Sequence, residues 1–69
     1  MTLYVVVDLE EHGGYTISGV YDKETFKKIY EQFVVKLYTN KWYWQKDTNV
    51  LKITLNSEEM VSVEPEDIK

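Results

Sequence analysis

The sequence predicts an α+β domain: an antiparallel sheet of four or five strands with one helix packed on one face, ordered β-β-α-β-β with an optional short fifth strand. Three observations lead there. Residues 3–9 alternate in the manner of a strand, residues 26–37 place apolar side chains at helical spacing, and residues 41–55 return to period two. At 69 residues the chain has room for one compact domain, expected over residues 1–64, with a polar tail at 65–69 expected to fray.

Leu3, Val5, Val7 and Leu9 alternate with Tyr4, Val6 and Asp8, and the β-branched content favours a strand. The loop EEHGG follows, where Gly13-Gly14 supply the positive φ of a hairpin. Residues 15–21 read as the returning strand. Strict alternation places Tyr15, Ile17 and Gly19 on one face and Thr16, Ser18 and Val20 on the other. Asp22 ends that strand and is suited to cap a helix, with Glu24 near the positive end of the helix dipole. Phe26, Ile29, Tyr30, Phe33, Val34 and Leu37 form one apolar stripe, with Asn40 as the expected C-terminal cap. Residues 41–46 and 50–55 are then expected to pair across a tight turn at Asp47-Thr48-Asn49, with Leu51, Ile53 and Leu55 on a common face. After a second turn at Asn56-Ser57-Glu58-Glu59, residues 60–63 make the optional edge strand, closed by Pro65.

Eight lysines, no arginine and twelve acidic residues give a net charge of -4. The charges are segregated. Asp8, Glu10 and Glu11 crowd the start and Glu58, Glu59, Glu64, Glu66 and Asp67 the end, whereas seven lysines fall between positions 23 and 52. The acidic sign disfavours duplex DNA, and without arginine the bidentate reading of bases and phosphates is missing. Cysteine is absent, which removes disulfides and thiolate metal sites and fits a cytoplasmic protein. The opening apolar run is too short for a membrane span or a signal sequence, so no membrane association is expected.

Little in the chain suggests catalysis. His12, the single histidine, is expected as an exposed loop residue rather than an acid–base group. Glu10-Glu11 and Glu58-Glu59 are adjacent pairs, and adjacent strand side chains point to opposite faces. Gly13-Gly14 lacks the lysine of a phosphate-binding loop. The expectation is a chain without enzymatic activity, cofactor or metal.

The stretch NKWYWQK is the unusual one. On a strand Trp42 and Trp44 project together while Tyr43 points away. One reading is structural: large aromatics supply the burial a small chain needs while their polar tips reach water. With one helix to cover one face, some aromatic side chains are also expected on the open side, which makes Tyr4, Tyr15, Trp42, Tyr43 and Trp44 candidate contacts for a protein partner, the register deciding which are exposed. The alternative is single-stranded nucleic acid stacked on the same rings, with Lys41, Lys46 and Lys52 holding phosphates. A homodimer formed through exposed strand edges is a further reading.

The segment YVVVDLEEHGGYTISGVYDKETFKKIYEQF resembles small prokaryotic and phage-encoded domains of unknown function. The likeness rests on Tyr4-Val5-Val6-Val7, Gly19-Val20-Tyr21 and a helix opening at Asp22, about half of the chain. The helix differs from theirs in carrying lysines and aromatics where they carry acidic and alanine-rich turns. The resemblance implies a small accessory protein of a phage or mobile element. Combined with the aromatic load, it leads to the expectation of a non-catalytic protein-binding module, an inhibitor or regulator of a host protein. Its acidic ends suit a basic, nucleic-acid-handling partner.

Overall fold

The computed structural model describes residues 1–36 and 41–68, which form an α+β fold around a four-stranded antiparallel sheet with one helix packed on it. Strands β1 (Thr2–Leu9) and β2 (Tyr15–Asp22) make the first hairpin. Gly13 and Gly14 reverse the chain there with φ of 89° and 86°, a region that side chains with a Cβ rarely enter. The pairing runs Tyr4 to Tyr21, Val5 to Val20 and Val6 to Gly19, but Val7 then faces Ile17. Ser18 is therefore a bulge residue, and its hydroxyl donates to the Asp8 carboxylate. One extra residue inverts the alternation beyond it. Tyr15 and Ile17 consequently share a face with Val20, and Gly19 joins Tyr21 on the other, which corrects the strict alternation.

Asp22 caps helix α1 (Lys23–Ile29), its Oδ1 accepting the Thr25 backbone N–H at 2.8 Å. That bond, the Thr25 hydroxyl and the charge of Lys28 hold the Asp22 carboxyl below its ordinary range. The helix ends earlier than its apolar stripe predicts. Residues Tyr30–Phe33 tighten into a 3-10 turn and Val34–Lys36 extend into strand β3. The β-branched pair Val34-Val35 favours extended backbone. It is met by strand β4 (Trp42–Trp44), with Val34 opposite Trp44, Val35 opposite Tyr43 and Lys36 opposite Trp42. The expected continuation to Leu37 and the cap Asn40 lie outside the described residues.

Residues 41–46 therefore do not pair with residues 50–55 as predicted. Strand β5 (Thr48–Thr54) instead lies beside β1, from Thr2 opposite Thr54 to Asp8 opposite Thr48. Strand β6 (Met60–Ser62) pairs with β5 and completes the order β2-β1-β5-β6. The turn expected at 47–49 comes two residues sooner. Thr48 N–H donates to the Gln45 carbonyl at 3.0 Å and Asp47 takes φ 62°. The β5–β6 connection begins the same way, with Ser57 N–H on the Thr54 carbonyl at 3.0 Å and Asn56 at φ 65°. Asp and Asn tolerate the left-handed region better than most residues.

All the described phenylalanine, tyrosine and tryptophan rings but Tyr15 belong to the helix side of the molecule or to the two-stranded β3–β4 ribbon. Tyr4, Val6 and Val50 from the sheet, Phe26 from α1, and Val63 and Ile68 from the C-terminal segment form the buried core. Tyr21, Ile29, Tyr30, Phe33 and Trp44 pack against it. Phe26 is the hub, with ring centroids 5.3 Å from Tyr4, 6.0 Å from Tyr21, 6.0 Å from Phe33 and 6.1 Å from Trp44. Each such ring pair adds about 0.5–1.5 kcal/mol beyond the burial of its area. Residues 65–68 of the segment expected to fray are packed as well. Pro65–Asp67 form a 3-10 turn, the Asp67 carboxylate accepts the Glu64 N–H at 3.1 Å, and Pro65 and Ile68 are buried.

Candidate functional site

Because β1 is central and apolar on both sides, the sheet needs cover twice. The face bearing Tyr4 and Val6 receives α1. The opposite face, bearing Val5 and Val7, receives no covering element among the described residues.

On that second face the side chains enclose a shallow concavity of about 610 Å³. Val5 and Val7 form its floor, screened by side chains from the neighbouring strands. Ile17 and Tyr15 of β2 wall one side, 64% and 67% exposed. Leu51 and Ile53 of β5 rise on the other, where Met60 of β6 stands 67% exposed. The register explains the grouping: Val5 faces Leu51 and Val7 faces Ile17 across the ladders, while Ile53 faces Met60. Facing residues in an antiparallel pair share a face. Asn49 and Ser62 supply polar atoms, and none of the lining residues is charged. A surface of this kind offers contact area and exclusion of water, with few directional bonds.

The five aromatic candidates do not converge. Tyr15 stands on the rim of the concavity. Tyr4 is 5% exposed and lies flat against Phe26, at an interplanar angle of 10°, so it belongs to the core and has no surface to offer. Trp44 is half-buried beside Phe26, and its Nε1–H donates to the Val63 carbonyl at 2.6 Å. Trp42 and Tyr43 are half-buried on the β3–β4 ribbon. The Lys36 Nζ sits 5.7 Å from the Trp42 ring centroid and the Lys41 Nζ 5.4 Å from that of Tyr43, a favourable stacking of cation on ring.

The lysines are likewise dispersed. Lys41 precedes β4 and Lys46 follows it in the turn, some 15 Å apart along extended backbone. Lys52 lies between Leu51 and Ile53 on β5 and so points away from the concavity. His12 is exposed in the hairpin loop. Among the described residues no group of three or more histidine, cysteine or carboxylate side chains converges as a metal site, and no helix is long and apolar enough to cross a membrane.

The aliphatic face is less conspicuous in the sequence than the rings. Its signal is the unbroken run Leu3-Tyr4-Val5-Val6-Val7, because a strand apolar at successive positions exposes apolar surface on both sides of its sheet. No protein-family model, curated protein or solved structure matches the chain.

Proposed function

We propose that the chain is a non-catalytic protein-binding module that receives its partner on the uncovered sheet face. The observation that carries this reading is the concavity over Val5 and Val7, rimmed by Ile17, Leu51, Ile53 and Met60 and free of charge. Apolar surface gathered in one place, beside a core already closed on the other face, is the usual mark of an interaction site. Tyr15 is the aromatic candidate placed to take part. A cytoplasmic role as inhibitor or regulator, in a phage or mobile element, fits the small size and the resemblance of residues 4–33.

The test is paired recovery of partners from the organism that encodes the chain, using the native sequence and the variant Ile17→Ser/Met60→Ser. Both substitutions fall on exposed positions and are expected to leave the fold intact. A protein held by the native chain and released by the variant supports the face as the docking surface. Equal retention by both would end this reading.

The nucleic-acid alternative draws support from the two lysine–ring stacks on the ribbon. It is weakened by the core position of Trp44 and the scatter of Lys41, Lys46 and Lys52. Salt-sensitive quenching of tryptophan fluorescence by a single-stranded oligonucleotide would favour it over the sheet-face reading.

A further inference from the structure

Resting on the docking reading, we infer that the occupant of the open face is an amphipathic helix whose apolar stripe is flanked by lysine or arginine. The first argument concerns backbone. A sheet face presents side chains and no free N–H or C=O groups, so whatever lies on it must satisfy its own main-chain hydrogen bonds. A helix does so internally, whereas an extended peptide would seek a strand edge. The domain already uses this solution on its other side, where α1 lays Phe26 on Tyr4.

The second argument concerns charge. Glu11 lies in the hairpin loop after β1 at one end of the face, and Glu58 and Glu59 precede β6 at the other; Glu10 turns to the covered side, where its carboxylate accepts the Thr16 hydroxyl. Lys23, Lys27 and Lys28 lie on α1 and Lys36 on the ribbon, on the covered side, and Lys52 points that way too. Lys46 stands beside Asp47 in the β4–β5 turn, which offsets it. An apolar surface with acidic ends complements a helix bearing cations at the borders of its apolar stripe.

A second copy of the chain fits less well. Two such faces laid together with aligned strands bring acidic ends onto acidic ends, whether the two-fold axis runs along the strands or across them. Four strands about 4.8 Å apart and about 25 Å long also bury only on the order of 1,000 Å² between two copies, the range of transient contacts. A helix matched to that length has about 16 residues.

The experiment titrates the chain with two labelled 16-residue helical peptides of identical pattern, one leucine–lysine and one leucine–glutamate, followed by fluorescence anisotropy. The leucine–lysine peptide is expected to saturate the native chain. Its affinity should fall about tenfold in Ile17→Ser/Met60→Ser and severalfold in Glu11→Gln/Glu58→Gln/Glu59→Gln, with a weaker salt dependence in the latter. Comparable binding of the leucine–glutamate peptide would overturn the charge argument. Undiminished binding to Ile17→Ser/Met60→Ser would show attraction by acidity alone and overturn the placement. Sedimentation of the native chain separates the two levels of the argument. A dimer abolished by Ile17→Ser/Met60→Ser would overturn the helix while leaving the docking face intact. Absence of both saturable peptide binding and such a dimer would overturn the helix and deprive the docking face of support.

Discussion

The two sides of one sheet differ in kind as well as in cover. On the helix side, Tyr4, Tyr21, Phe26, Phe33 and Trp44 interlock at ring separations of 5.3 to 6.4 Å. On the open side stand Val5, Val7, Ile17, Leu51, Ile53 and Met60, aliphatic or thioether, with Tyr15 as the single ring at the rim among the described residues. Strand β1 feeds both, sending Tyr4 and Val6 one way and Val5 and Val7 the other. Rings need defined neighbours, because they stack at preferred geometries and, in tryptophan, carry an N–H that wants an acceptor. Aliphatic side chains and methionine make weaker geometric demands and adapt to what covers them. The division suggests that abundant aromatic residues in a small chain serve its own closure first, and that the surface left for others is found among the plainer side chains.

The sharpest test of this contrast truncates one residue on each side. Phe26→Ala removes the fully buried hub and is expected to cost about 3–5 kcal/mol, a large part of the roughly 3–10 kcal/mol available to a domain of this size. Ile17→Ala, on the open side, should stay within about 0.5 kcal/mol of the native value in urea unfolding. Similar losses at the two positions would break the comparison and make the open face part of the core.

A smaller effect is expected at Gly19. A methyl group there would meet the Tyr21 ring carbons at 2.6 Å, so Gly19→Ala should destabilise by about 1–3 kcal/mol through displacement of that ring. Near-ultraviolet circular dichroism would register the disturbance; an unchanged spectrum and midpoint would show that Tyr21 is free to move aside. Trp44→Phe keeps a ring against Phe26 but leaves the Val63 carbonyl without its donor. A loss of about 1 kcal/mol is expected by thermal unfolding, and no loss would mean that water replaces the bond.

The smallest effect lies at the entrance of α1, away from both faces. Asp22 has its pKa lowered from 3.8, so its charge contributes stability that is fully present above that value and lost as pH falls through the folded-state pKa. The stability difference between the native chain and Asp22→Asn should be present at neutral pH and close in acid below 3.8. A difference independent of pH would assign the effect to the shape of the cap rather than to its charge.

Much of the sheet was legible in residues that act locally. Gly13-Gly14 mark the first reversal, Asp22 the helix start, and the alternation from Val50 to Ile53 marks strand β5. The misreadings arose where distant partners decide. The stripe through Phe26, Ile29 and Phe33 suits a helix, but it serves equally well when the chain tightens after Ile29 and extends at Val34, because Val34 is buried either way. The WYW triplet has strand character wherever it pairs, and nothing within it distinguishes β3 from β5 as its neighbour. The bulge at Ser18 has no residue signature of its own, yet it decides that Ile17 joins the open face. The site was half-legible. One uncovered face follows from having a single helix, but which side chains occupy it depends on that bulge and on the β1–β5 register.

The pairing of β1 with β5 has a temporal side. The β1–β2 hairpin is closed by a short loop and can form on the order of microseconds. The other edge of β1 waits for a strand 40 residues further along at its nearest pairing, Asp8 with Thr48, and 52 at its farthest, Thr2 with Thr54. Closing a loop of that span comes before any contact rewards it, which slows the barrier crossing. During the wait β1 shows apolar side chains on two sides and an unpaired rim of amides, so the nascent chain is at its most adhesive before it has completed its own sheet.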